Sequence, residues 1–236
     1  MFPYDPQILQ VASTPHQTVA DVKAALQAID AICMDVDGLK WFNWLYLQVT
    51  IAVEERVNAG GFHDPAWLAQ LDVEFAKLYF SALRDMLSGQ SPPECWQVLF
   101  DRREDRRLGR IQFALAGINA HINHDLPFAI IATGVHPTHD SAHYNDYTSL
   151  NSTLDSTIEM AKEMLRVGLL GDALPPVSHL EDALAAWCVS AARESAWQSA
   201  EHLWQVKDIA FFVKSFESVL DGFSALAGKG LLIPVL

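Results

Sequence analysis

The sequence predicts an all-α fold, a single domain over residues 1–236 built as a bundle of about seven to nine helices. Three observations predict it. Apolar residues recur at three- and four-residue spacing through most of the chain, helix-start pairs stand in front of these stretches, and Gly or Pro closes them. No internal repeat or low-complexity tract interrupts the pattern.

The elements follow in order. Thr18 with Asp21 forms a capping box ahead of VADVKAALQAIDAICM. DVDGL is a turn. WFNWLYLQVTIAVEERVNAGG carries apolar residues all round and ends on a Gly pair, as a helix C-terminus does. Val49, Thr50, Ile51 and Val53 are β-branched and would suit a strand, but the length and the Glu-rich end favour helix. Asp64 and Pro65 form an N-cap and N1 pair that opens PAWLAQLDVEFAKLYFSALRDML, which stops at Gly89. Ser91 to Pro93 is a breaker before the short segment ECWQVLF. DRREDRRLGR alternates in sign within single turns and reads as a solvated helix start. The alternative is that Arg103, Arg106 or Arg110 faces an anionic substrate group, since the guanidinium fork matches carboxylate and phosphate. The helix continues through IQFALAGINAHINHD and is expected to break near Pro127. FAIIATGVHPTHDSA is a short apolar segment and then a loop, and Tyr147 to Arg166 is helical. GLLGDALPPV is the clearest linker, too short to force a second domain. Ser178 with Glu181 is a capping box opening a long helix to about Lys207. IAFFVKSFESVLDGFSALAGKG is a last amphipathic helix. LLIPVL is an apolar tail that covers either the core or a neighbouring subunit of a homo-oligomer.

Half of the 236 residues are apolar, enough for a sizeable core. The net charge of −13 argues against nucleic acid and against an anionic membrane surface as partners. MFPYDPQILQV lacks the basic start and apolar run of a signal peptide, and no apolar run reaches the roughly 20 residues that span a bilayer. Cys33, Cys95 and Cys188 form no CxxC and suggest no disulfide frame. Buried thiols in a reducing, cytoplasmic setting are expected.

Chemistry concentrates between Arg110 and Asn151. Five of the nine histidines fall between His121 and His143, with Asp125, Asp140, Asp146, Asn119, Asn123 and Tyr147 around them. On a helix, Arg110, Ala114, Gly117, His121 and Asp125 form one stripe with His124 beside it. His121 and Asp125 can converge on one ion, because imidazole nitrogen and carboxylate oxygen are both zinc ligands. His143 is the expected third ligand, with His139 and Asp146 as rivals. The bland alternative is an i,i+4 pair that only ties helices together.

Asp72, Phe75 and Tyr79 share a helix face, which makes Asp72 an ionisable group inside an apolar helix. It is either a ligand or general base, or the partner of a buried Arg. Trp41, Trp44 and Tyr46 read as core, although aromatic walls also line small-molecule pockets. Arg193, Trp197, Glu201 and Trp204 share a stripe, and a buried Arg193 would need an acid such as Asp72 or Glu194. His16, His63, His179 and His202 stand alone and read as surface or cap residues.

No GxGxxG, Walker A, GxSxG or HExxH motif is present. The blocks Trp41–Thr50, Phe62–Leu83, Ile111–Pro127, His143–Asn151 and Ala192–Trp204 resemble an uncharacterised family of bacteria and fungi with a GxNAHINxDLP signature. One extra residue between His143 and Asp146 sets His143 out of phase with the family pattern. The resemblance implies no activity. A more distant likeness is to the all-helical zinc phospholipase C and single-strand nuclease fold, where a His-x3-Asp pair on a helix precedes a further His. His121, Asp125 and His143 fit that order, whereas Tyr147 stands where an acid would follow and the N-terminal Trp is missing. A single metal fits better than three.

The leading expectation is a small-molecule enzyme of hydrolase type with a divalent metal, zinc being one candidate, on His121, Asp125 and His143. Asp72 or His124 would move protons, and Tyr147 or Arg110 would stabilise developing negative charge. The second is a metal-independent cyclase or isomerase using Asp72, His121 and Tyr147. The third is a non-catalytic ligand- or partner-binding module.

Overall fold

The computed structural model describes residues 2–166 and 188–234. Among the described residues the chain is an all-α bundle with no strand. GLLGDALPPV, His179 and the Ser178–Glu181 pair lie outside the described residues.

Helix α1 (Asp5–Ala12) and α2 (Val19–Ile32) lead into α3 (Gly38–Asn58) and α4 (Pro65–Leu87). After the short α5 (Glu94–Phe100) comes an unbroken rod: α6 (Arg110–Ala120), a π-helical turn (His121–Asp125) and α7 (Leu126–Ala132). Helices α8 (Ala142–Ser149) and α9 (Asn151–Met164) are separated only by Leu150, and α10 (Val189–Val206) and α11 (Ala210–Leu231) follow. Among the described residues, no helix is long and apolar enough to cross a membrane.

The caps form as their chemistry requires. Thr18 Oγ1 accepts from the Asp21 amide at 3.1 Å while Asp21 Oδ2 accepts from the Thr18 amide at 2.9 Å. Asp64 Oδ1 accepts from the Trp67 amide at 2.9 Å. The β-branched run of α3 stays helical because its neighbours are the flanks of α2, α6 and α9, not a strand. Helix α1 was not anticipated; Pro6 in its first turn, where no N–H is needed, is the signal for it.

The rod is the axis of the bundle. Every residue of α6 after Arg110 is buried, as befits a helix apolar on all faces. It meets α3 through two interlocked pairs. Phe42 of α3 fills the space over Gly117, where an added Cβ would sit 2.3 Å from the ring. Phe113 of α6 does the same over Gly38, again at 2.3 Å. Two helices approach this closely only where one side of each contact has no side chain.

Three expectations are corrected. DRREDRRLGR is a series of turns, and the helix begins at Arg110, with Gln112 Oε1 accepting from the Gly109 amide at 2.9 Å. Arg103 is drawn inward instead of facing solvent or substrate. Its guanidinium forks onto Asp37 and pairs with Asp5 at 3.0 Å, and Asp37 also accepts from the Tyr4 hydroxyl at 3.1 Å. That buried network ties α1, the α2–α3 turn and the α5–α6 loop together. Nor does the rod break at Pro127. The missing proline N–H is absorbed by widening one turn, in which the Leu126 amide reaches the His121 carbonyl five residues back. The described part of the tail, residues 231–234, lies on the molecule's own core: Leu232 is buried, and Gln112 Nε2 donates to the Leu231 and Ile233 carbonyls at 2.8 and 2.7 Å.

Candidate functional site

The widened turn sets three polar side chains inside the bundle. Asp125 Oδ2 accepts from His121 Nδ1 at 2.8 Å and from Trp96 Nε1 at 3.0 Å, and Asp125 Oδ1 accepts from His124 Nδ1 at 2.7 Å. All four residues are buried. An ionised carboxylate only accepts, so each imidazole carries its proton on Nδ1 and, when neutral, offers a bare Nε2. Neither His121 Nε2 nor His124 Nε2 has a hydrogen-bond partner among the described residues. Burial raises the Asp125 carboxyl, but the bonds from His121 and His124 outweigh it and hold the group below the usual range.

The two imidazoles face different spaces. His121 lines a small inner lobe of about 50 Å³ with Phe42, Tyr46, Phe75 and Arg193. The Phe75 ring lies flat on it, with centroids 3.5 Å apart and planes 5° from parallel. Burial lowers the His121 pKa in spite of Asp125. A second lobe of about 60 Å³ contains Asp72, one turn before Phe75 on α4. Tyr46, Val49, Phe75, Leu154 and Arg193 line both lobes, so the two adjoin and are taken together as a chamber. Asp72, Val53 and Leu68 also line an outer vestibule of about 330 Å³ between α2, α3 and α4, which places Asp72 at the mouth. Burial and then the Glu54 charge raise Asp72 to about 7, and its Oδ2 has no partner. The Tyr46 hydroxyl is likewise buried and unpartnered, its pKa raised by burial.

His124 faces outward to a groove of about 660 Å³ that also holds Asp85, Glu217 and Asp221. Burial lowers its pKa, but the Asp125 bond and the charges of Asp125, Asp221 and Glu217 outweigh that and raise it. One ligand atom each from His124, Cys95 and Asp221 lies within 4.8 Å of the others. This buried His/Cys/Asp cluster could coordinate a metal. Burial, then the Asp125 and Asp221 charges, push the Cys95 thiol up, so an ion there would have to displace its proton. Asp221 accepts from the Glu94 and Cys95 amides at 2.9 and 2.8 Å and so also caps α5.

Of the residues expected from sequence, the structure brings together His121, Asp125 and His124, with Asp72 one helical turn from His121's stacking partner. The expected metal set of His121, Asp125 and His143 is not assembled. Both Asp125 oxygens are engaged by N–H donors, and His143 Nε2 bonds Asp64 Oδ2 at 3.2 Å beside Trp67. The rivals are also occupied. Asp146 accepts from the His63 and Asp64 amides, and His139 bonds Glu194 and Glu201 at the surface. Tyr147 spends its hydroxyl on the Arg193 carbonyl at 2.8 Å, and Arg110 stacks over Trp41 at 4.0 Å, roughly 16 Å along the rod from His121. Tyr147 is thus engaged, and Arg110 lies away from the His121–Asp125 pair. Cys33 and Cys95 are buried, whereas Cys188 is exposed. Sequence reasoning left Tyr46 in the core and Cys95 among the buried thiols, and did not single out Trp96 or Asp221. Only tertiary packing brings these to His121 and His124.

Fold and site together define an all-helical protein with a small apolar chamber on one side of a buried carboxylate and, on the other, a His/Cys/Asp cluster that could coordinate a metal. The chain belongs to the family described as Family of unknown function (DUF5995), which matches residues 19–234. No curated protein and no solved structure matches it. Neither a structural match nor the position of His143 links it to the zinc phospholipase C and nuclease fold.

Proposed function

We propose that the protein is an enzyme that moves protons on a small, largely apolar molecule held in the chamber. One observation carries this reading. Three buried polar atoms without protein partners, His121 Nε2, Asp72 Oδ2 and Tyr46 Oη, belong to residues lining one apolar chamber. Buried polar groups are ordinarily satisfied, and where several are not, a ligand is the natural partner. Asp125 is a positioning residue: it fixes the His121 tautomer and turns Nε2 to the base role. In the step proposed, Nε2 takes a proton from substrate carbon, and the C–H electron pair shifts into the adjacent unsaturation. Protonated Asp72 returns a proton further along the skeleton. The net change is an isomerisation, and a ring closure follows the same proton movements.

The test is incubation of the full chain in D2O with small enolisable ketones and unsaturated acids, followed by mass spectrometry. Protein-dependent deuterium incorporation is expected, abolished in His121→Gln and reduced in Asp125→Asn. Binding without incorporation would leave a ligand-binding module instead of an enzyme.

A second reading is favoured by the Cys95, His124 and Asp221 cluster. Asp125 occupies His124 Nδ1 and leaves Nε2 for an ion. Zinc or another divalent metal there would act as a Lewis acid towards the groove. Titration with Co²⁺ should give a thiolate charge-transfer band that Cys95→Ser and His124→Ala both lose. The buried free thiols of Cys33 and Cys95 fit a reducing, cytoplasmic setting.

A further inference from the structure

Arg193 is buried, yet its hydrogen-bond partners among the described residues are all neutral. Nε donates to Asn151 Oδ1 at 2.8 Å, Nη2 donates to the Tyr147 carbonyl at 2.7 Å, and the guanidinium carbon lies 3.8 Å from the Tyr147 ring centroid. The acids expected for it form no ion pair with it. Glu194 binds His139, Tyr144 and Gln198, and Asp72 lines one of the same lobes but makes no hydrogen bond to Arg193. Asp155, whose charge Arg193 does sense, bonds Ser190. No carboxylate among the described residues forms an ion pair with Arg193. A buried cation without a counter-charge is costly, and a guanidinium has five N–H donors, of which those on Nη1 have no partner among the described residues. Arg193 lines both lobes of the chamber.

We propose that the chamber is a binding site for a small apolar monocarboxylate whose carboxylate pairs with Arg193. The charge follows from the single guanidinium, which balances one negative charge; a phosphate monoester would bring nearly two. The body follows from the walls, which beside Arg193 are Tyr46, Val49, Phe75 and Leu154, and from lobes of about 50 and 60 Å³ that take only a few carbons each. The inference deepens the acid–base reading by naming its substrate class. Yet it rests on the chamber and Arg193, not on any reaction at His121.

The test is calorimetric titration of the full chain with isovalerate and benzoate, and with the amide, alcohol and amine of each skeleton. The acids should bind at least tenfold tighter than any of the isosteres. Arg193→Gln should erase that preference and Arg193→Lys retain part of it. Should Arg193→Gln fail to fold, the comparison among ligands on the unaltered chain still decides. Equal affinity for acid and amide, or no binding of either acid, would overturn the proposal. Acid binding without deuterium exchange therefore leaves this inference standing while the enzyme reading falls.

A different observation carries a second inference. Ile209, Phe212, Phe216, Val219, Phe223 and Leu226 follow the alternating three–four spacing of a coiled-coil seam along α11. All but the half-buried Phe216 are at least 50% exposed, while Ser224, Ala225 and Gly228 on the other face are buried against the bundle. The stripe carries no charge. It offers on the order of 600 Å² of apolar surface, close to one side of a standard interface. A membrane-surface helix would need a basic flank, whereas here Lys214 is offset by Glu217 and Asp221 in a chain of net charge −13. We infer that two copies of the chain pair through this seam. Light scattering should give twice the chain mass at high micromolar concentration. Val219→Glu and Phe223→Glu should give the single mass with unchanged circular dichroism. A monomeric native chain, or variants that stay paired, would overturn it.

Discussion

Tyr147 and Arg193 hold each other through their main chains: each side chain donates a hydrogen bond to the other's backbone carbonyl, at 2.8 and 2.7 Å. The exchange joins α8 to α10 and fixes the guanidinium at the chamber wall. Tyr147→Phe removes one of the two bonds and should cost about 1 kcal/mol in urea denaturation. Tyr147→Ala also removes the fully buried ring beneath Arg193 and should cost roughly 3–5 kcal/mol. Equal losses in the two variants would show that the bond, not the ring, carries the contact.

Asp72 makes stability depend on pH with a definite sign. Its carboxyl is raised to about 7 in the fold, so folding takes up a proton. The contribution is complete below the unfolded carboxyl pKa near ~4 and is lost as pH rises through about 7. Asp72→Asn, which cannot ionise, should gain stability relative to the native chain across that window, by up to about 4 kcal/mol. Chemical denaturation at several pH values measures the difference. A constant difference would mean that Asp72 ionises as freely in the fold as in the unfolded chain.

His121 and His124 share one carboxylate but should titrate in opposite directions from an ordinary histidine, His121 low and His124 high. Long-range nitrogen–proton NMR spectra should show the Nδ1–H tautomer for neutral His121. Asp125→Asn should disturb both rings and cost about 3 kcal/mol, since it sets an amide among three N–H donors. Coincident titration of the two histidines would contradict the assignment.

The glycine sockets can be probed directly. Gly117→Ala places a Cβ 2.3 Å from Phe42, so α3 and α6 must part and stability should fall by about 1–3 kcal/mol. Pairing it with Phe42→Leu should recover part of the loss. Gly222→Ala on α11, where nothing lies within 4 Å, should be neutral or stabilising by comparison.

What could be read from the sequence was local. Thr18 with Asp21, Asp64 with Pro65, and His121 with Asp125 are neighbours within a helical turn, and periodicity places them correctly. Asp72 and Phe75 fall on one face for the same reason. The rest depends on pairs far apart in the chain. Arg103 meets Asp37 across 66 residues and His143 meets Asp64 across 79, so spacing carries no trace of either. The π turn was half visible: Pro127 signalled a perturbed helix, but whether the rod bends or widens is decided by the packing of α4 and α10 around it. Arg193 showed as a residue in need of a counter-charge. That its hydrogen-bond partners among the described residues would all be neutral became visible only in three dimensions.

Asp125 stands in a partition with a room on either side. One oxygen serves the imidazole of the inner room, the other that of the outer, and both draw on the same negative charge. Anything that captures His124 from the groove therefore changes how strongly the carboxylate supports His121. News of the outside can reach the inside through a single side chain, with no helix having to move.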